Sequence, residues 1–388
     1  MLKTNHMAFI RITTNIILSF LLFQSCDSNA QLPPPQWNQY RGPYRNGTDV
    51  FEKDTIKQFK AMDEKLWEVQ GYYGHATSPV LDDQHIYFGY GNQMYALDRF
   101  CGAEIWKISF QEDRKWSGRA STPILDGNFI YFGSRDNLFY ALDKTNGKLA
   151  WQFKTKGVIA SSPAIVNNSI FFQAFDGNLY ALDKNTGKEL WRYETQGGAT
   201  SPIVAGKKLL IGSQRGALYC LDPDTGALHW KYQARGRIYG SPIYKDETVY
   251  FGDVQAYLYA IDFQKGNKLW DFESGSAIYE SPTLFDNVVI FNSNAYGMYG
   301  IDRTSGERLW FNGGIGAGEP MVTNGVLFYG TFNKKFEYLN AVDPSNGHLL
   351  WQERLFGRVV GNPAPHKHLL YLVRSTGMVA AYLSNQYN

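Results

Sequence analysis

The chain has 388 residues, long enough for a large buried core, and is 44% hydrophobic and 16% aromatic with 38 glycines. That composition excludes a disordered or coiled-coil protein and points to a turn-rich β fold. The formal net charge of +2 gives no positive field to recruit nucleic acid, and no Lys/Arg run supplies one locally.

In chain order, the first element is "MLKTNHMAFIRITTNIILSFLLFQSC". Lys3 and Arg11 make a basic region, and Ile16 to Phe23 an apolar core too short to span a bilayer as a mature helix. Residues 1–25 therefore read as an export signal. It resembles a lipoprotein signal, because the small Ser25 directly precedes Cys26, the residue that such processing leaves lipidated. Phe23 departs from the usual leucine three positions before that cysteine, and an ordinary secretory signal cut near Ala30 is the alternative. Removing residues 1–25 takes away Lys3 and Arg11 and no acid, so the mature protein is formally neutral.

Residues 26–64 form a lead-in segment, and residues 65–388 are built from a repeat. Asp98, Asp143, Asp183, Asp222, Asp262, Asp302 and Asp343 are each followed four residues later by glycine and eight later by tryptophan: Trp106, Trp151, Trp191, Trp230, Trp270, Trp310 and Trp351. The aspartates are 39 to 45 residues apart, the period of four-stranded propeller blades. Each unit, such as "SSPAIVNNSIFFQAFDGNLYALDKNTGKELWRYET", reads as four short strands separated by Asn, Asp and Gly turn signals. The Asp carboxylate accepts N–H bonds from its turn, glycine supplies a positive φ, and tryptophan fills the wedge between blades.

An "SP" or "TP" pair opens the inner strand at Ser78, Thr122, Ser162, Ser201, Ser241 and Ser281, and diverges to "EP" at Glu319 and "NP" at Asn362. The eighth copy lacks an outer strand, whereas "EKLWEV" with Trp67 is unmatched at the other end. The expected fold is all-β: an eight-bladed propeller of four-stranded antiparallel blades, closed by an N-terminal strand that hides the open edges.

With "YALDxxTGxxxW" repeated around eight blades, residues 37–388 resemble the pyrroloquinoline-quinone-type propeller repeat family. The lead-in "QWNQYRGPYRNG" looks like that of the family's exported bacterial members. The family includes quinoprotein dehydrogenases, the propeller lipoprotein of the outer-membrane β-barrel assembly machinery, and proteins of no known activity, so the fold does not settle function. The resemblance implies, for the dehydrogenases, adjacent cysteines under the quinone, a calcium site and a catalytic aspartate. This chain has no adjacent cysteines and no matching aspartate motif, so no catalytic residue carries over.

Besides Cys26 only Cys101 and Cys220 occur, in neither a CxxC nor a CxxCH pattern, which supports no zinc site, covalent haem or disulfide framework. Cys220 replaces the alanine of "YALD" and reads as a small core residue. Glu280, Glu319 and Asn362 lie at or beside the "SP" position in three successive blades and are weak candidates for a cation site; repeat drift is the simpler account. His75, Arg119, Tyr239 and Tyr279 give one channel mouth a polar, aromatic lining suited to a small ligand or a peptide. His366 and His368 form an isolated HxH. The segment from Trp106 to Thr122 spans 16 residues where its neighbours span 11, and its "QEDRKW" places Arg114, Lys115 and Trp116 in a candidate partner-binding loop.

The expectation is an exported, lipid-anchored, periplasm-facing monomeric propeller that scaffolds an envelope protein partner, with outer-membrane protein assembly as the setting the resemblance implies. No cofactor and no nucleic acid are expected. The alternatives are a dehydrogenase using pyrroloquinoline quinone with calcium, and a small-ligand or sugar-binding propeller.

Overall fold

Every hydrogen-bonded segment of the repeat is extended, because its β-branched and aromatic residues alternate between Gly, Asn and Asp turns. A computed structural model describes residues 64–69, 76–110, 120–198, 200–323, 325–332, 337–355, 364–366, 369–374 and 378–383. All of them belong to the compact unit Pro34–Asn388; the unit Met1–Pro33, on which the expected export signal falls, lies outside the described residues.

The strands form eight four-stranded antiparallel sheets, the blades of a β-propeller. Blade 3 is representative: Ala164–Val166, Ser169–Gln173, Asn178–Asp183 and Glu189–Glu194 pair in sequence order. Its two middle strands are buried nearly throughout, while the fourth alternates between partly buried and exposed positions and is therefore outermost. In seven blades the pairing of the third and fourth strands shifts register just before the turn aspartate, as at Ala181/Leu182, a bulge that re-aims the outer strand.

The eighth blade is made from both ends of the chain. Ala364–His366, Leu369–Arg374 and Met378–Leu383 take Glu64–Val69 as their fourth strand, with Trp67 opposite Ala381. The closure expected from the unmatched "EKLWEV" is therefore present, and it leaves Met378–Leu383 no open edge.

The D-x3-G-x3-W motif is an interlock between blades. Each turn aspartate that opens it bonds its own loop; Asp222 Oδ1 accepts from Asp224 N at 3.0 Å, Thr225 N at 2.8 Å and Thr225 Oγ1 at 2.8 Å. Glycine closes the loop by donating to the aspartate carbonyl, as Gly226 does at 2.8 Å. The same glycine faces the tryptophan of the preceding blade: a Cβ on Gly187 would lie 2.5 Å from the Trp151 ring. Seven tryptophans, Trp67 to Trp310, donate their indole N–H to the backbone carbonyl one residue after the next blade's aspartate, from Trp67 to Arg99 and from Trp310 to Pro344. Trp351 instead meets Phe328 edge-on at 5.8 Å.

The cores between blades are aromatic. In five blades a second-strand Phe stacks on the tyrosine of the "YALD" run, as Phe172 on Tyr180 at 5.4 Å. Each fully buried ring of this size stabilises the fold by about 1.5–3 kcal/mol. Cys220 is buried opposite Trp230, and burial pushes its thiol up to about 12.

Candidate functional site

The inner strands open at the "SP" positions, and there the backbone of one blade is tied to the side chain of the next. Ser78 N donates to Thr122 Oγ1 at 3.2 Å, and Ser162 N to Ser201 Oγ, Ser201 N to Ser241 Oγ and Ser241 N to Ser281 Oγ, each at 2.9 Å. The residue just before each pair ties the inner strand to its own neighbour: Gly89 N, Gly133 N and Gln173 N donate to the hydroxyls of Thr77, Ser121 and Ser161. These hydroxyls are buried, so their repetition reflects the need to pair buried N–H groups.

Glu319 continues this hydrogen-bonded rim. Its Oε1 accepts from Ser281 Oγ at 2.7 Å and from Ser281 N at 3.3 Å, so a carboxylate does here what a serine hydroxyl does elsewhere. Glu280 is half-buried one position earlier, at the place of Gly240, where the two blades meet backbone to backbone: a Cβ on Gly240 would lie 2.4 Å from the Glu280 carbonyl. Asn362, the third member of the cation-site expectation, lies outside the described residues. Among the described residues no group of three or more His, Cys, Asp or Glu side chains is arranged to hold a metal ion.

Tyr239 and Tyr279 do come together, with ring centroids 5.8 Å apart and planes tilted by 54°. Tyr279 is 44% exposed, so this pair presents an aromatic surface to solvent. His75 and Arg119, the loop residues Arg114, Lys115 and Trp116, His368 and Cys26 lie outside the described residues. Of His366, only its place at the end of Ala364–His366 is described.

One expectation about the cysteines is corrected. Cys101 is disulfide-bonded, whereas the spacing pattern supported no disulfide framework; Cys220 is free. A pairing made by the fold across distant segments leaves no mark in local spacing.

At the blade tips, partly buried carboxylates are already paired. Asp82 is desolvated, which alone raises its pKa, yet hydrogen bonds from His85, from the Gln84 and His85 backbone and from the Tyr87 hydroxyl hold it well below the usual carboxylate range. Lys144 of the next blade approaches it at 3.2 Å, and Lys184 pairs with Asp126 in the same way. The "YALD" tyrosines are anchored similarly: Tyr140, Tyr180 and Tyr259 donate to Asp136, Asp176 and Asp253 at 2.6, 2.7 and 2.9 Å. Burial first, then the neighbouring carboxylate, keeps the Tyr140 phenol protonated far above its ordinary range.

The described residues also form a cleft between blades 6 and 7, lined in part by Asn312, Tyr329, Asn340 and Gln352. The sequence reading did not single out these residues. Their signal lies in the repeat itself, where Asn340 occupies the tyrosine position of "YALD".

Fold and rim together define an eight-bladed propeller of the pyrroloquinoline-quinone repeat type, its blades joined by tryptophan–glycine locks and a hydroxyl rim. The chain belongs to the family described as outer membrane protein assembly factor BamB, which matches residues 52–194, 176–312 and 297–385. No curated relative matches it in sequence. Among solved structures it is similar to BamB from Moraxella catarrhalis, at 18% identity and a TM-score of 0.70 over 84% of this chain and 98% of that one. It is also similar to quinohemoprotein alcohol dehydrogenase from Comamonas testosteroni, at 15% identity and 0.73 over 91% and 81%. The computationally designed Ika8 protein matches at 14% identity and 0.71 over 82% and 99%. At these identities the likenesses show the fold alone.

Proposed function

We propose that this protein is a periplasm-facing envelope protein whose monomeric propeller is a non-enzymatic scaffold for a protein partner in outer-membrane protein assembly. Family membership supports the setting. One structural observation carries the scaffold reading: the polar residues that recur around the ring are engaged in holding it together. The aspartates bond their turns, the Ser/Thr hydroxyls bond the next blade, and Glu319 is bound by Ser281. What such a ring offers is rigidity and surface.

The dehydrogenase alternative requires adjacent cysteines, which the sequence lacks, and an assignable catalytic aspartate. Dye-linked oxidation of alcohols or aldoses after addition of quinone and calcium, lost in Glu319→Ala, would overturn the scaffold reading.

The direct test is capture of partners by the tagged mature protein from native envelope, compared with a variant in which a Gly/Ser linker replaces residues 111–116. The expected result is a defined envelope protein recovered with the parent and lost with the variant, at unchanged melting temperature. Full recovery by the variant would remove Arg114, Lys115 and Trp116 from the interface.

A further inference from the structure

At the interfaces between blades 2 and 3, 4 and 5, and 5 and 6, the packing is built from three rings. Two rings come from one blade, the second-strand Phe and the "YALD" tyrosine. The third comes from the preceding blade, two residues after its tryptophan. Phe153 lies 6.4 Å from Phe172 and 5.5 Å from Tyr180; Tyr232 lies 6.2 Å from Phe251 and 5.7 Å from Tyr259; Phe272 lies 6.2 Å from Phe291 and 5.7 Å from Tyr299. Between blades 6 and 7 the same three positions hold Asn312, Tyr329 and Asn340, as the Tyr329↔Asn340 register shows. Two of these three positions hold carboxamides, one from each blade, and both line the same cleft.

The missing rings leave a cleft of about 740 Å³, within the range of small-molecule sites. Its amides are held in place. Asn340, only 3% exposed, donates to Thr331 Oγ1 at 2.8 Å and to the Tyr329 carbonyl at 3.2 Å, and accepts from Gln352 Nε2 at 2.7 Å. Asn312 Nδ2 donates to the Gly347 carbonyl at 2.7 Å. Both sides of this interface thus present a carboxamide, each hydrogen-bonded to its own surroundings, as in a built polar site.

The lining fixes the ligand chemistry. Among the described lining residues there is no Asp, Glu, Lys or Arg, and one histidine, His348, a lining that favours a neutral ligand over an ion. Carboxamides both donate and accept, which matches hydroxyl groups. Phe311, 40% exposed at the edge of the cleft, and Tyr338 add flat faces against which the C–H side of a sugar ring packs. We propose that the cleft between blades 6 and 7 binds a short, neutral oligosaccharide. This stands independently of the protein-scaffold reading.

The full mature protein would be titrated by calorimetry and saturation-transfer NMR with maltotriose, cellotriose, laminaritriose, mannotriose and chitotriose, and with acetyl-Gly-Ala-Gly-amide as a neutral peptide probe. At least one trisaccharide is expected to bind, with affinity falling tenfold or more in Asn340→Tyr, which rebuilds the ring, and in Gln352→Ala, on the exposed outer strand. Asn340→Tyr is expected to melt no lower than the parent. Tyr279→Ala, at the inner rim, is expected to bind sugar unchanged. Failure of all five sugars, preference for the peptide, or undiminished sugar binding in both cleft variants overturns the proposal.

Discussion

Trp230 and Gly266, in neighbouring blades, are fitted to each other. A Cβ on Gly266 would lie 2.6 Å from indole Cδ2, and Trp230 Nε1 donates to the Phe263 carbonyl at 2.9 Å in the same turn. Gly266→Ala therefore meets two obstacles, its φ of +73° and the indole. The expected loss is roughly 2–4 kcal/mol, the sum of backbone strain and overpacking. Gly206→Ala, at a φ of +55° with nothing within 4 Å, isolates the strain and should lose about 1 kcal/mol. Urea unfolding midpoints of the two variants measure the difference; equal losses would dismiss the lock.

The indole itself can be divided into ring and hydrogen bond. Trp191 is partly buried and donates to the Pro223 carbonyl at 3.1 Å. Trp191→Ala is expected to lose about 3 kcal/mol, the lower end for a large aromatic truncation. Trp191→Phe keeps most of the packing and should lose about half as much, since a net hydrogen bond contributes around 1 kcal/mol. A loss below about 1 kcal/mol for the alanine variant would contradict the wedge role.

At the inner rim, Ser201→Ala removes the acceptor of the buried Ser162 N–H and should lose about 1–3 kcal/mol, the cost of leaving a donor unpaired. In the last described link of the rim, Glu319→Gln retains an acceptor for Ser281 and should stay closer to the parent than Glu319→Ala. Thermal denaturation of the four proteins tests the ranking.

The turn aspartates predict acid sensitivity. The side-chain and backbone hydrogen bonds of Thr225 lower the Asp222 pKa, and those of Thr145 lower that of Asp143. A carboxylate whose folded pKa lies below its unfolded value, about 3.9, contributes its stability in full above the unfolded value and loses it as pH falls through the folded one. Stability should thus decline as pH drops below about 4. Asp222→Asn should start lower at neutral pH and decline less steeply over that interval. Denaturant midpoints between pH 6 and 3 measure both slopes.

The cysteines have a countable consequence. With Cys101 disulfide-bonded and Cys220 free, the mature protein unfolded without reductant should expose one alkylatable thiol, Cys220. A second thiol before reduction would contradict the Cys101 disulfide. In the folded protein Cys220 should resist alkylation at pH 8, since burial pushes its thiol up to about 12.

The blade count, the strand order within a blade and the N-terminal closing strand were all legible, because period, turn chemistry and the unmatched "EKLWEV" are written locally. The turn roles of Asp222 and Gly226 were legible for the same reason. What Gly226 does for Trp191, and the Ser201–Ser241 tie across blades, were not: those partners stand 35 and 40 residues apart, and only the fold makes them neighbours. The part Glu319 plays at the rim was not legible for a related reason: its donor, Ser281, stands 38 residues away in the preceding blade. The cleft lined by Asn312 and Asn340 escaped because each residue reads alone as drift.

The strand Glu64–Val69 is synthesised first and seated last. Its partner strand ends at Leu383, more than 300 residues later, so on emergence from a ribosome or an export channel the opening segment has nothing to pair with. Blades made from contiguous sequence can assemble as they appear, but the seam waits for the final strand. Until then the chain carries two bare edges, the species most prone to pair with a neighbour. Circularly permuted variants that move the seam into a contiguous blade would shorten that wait.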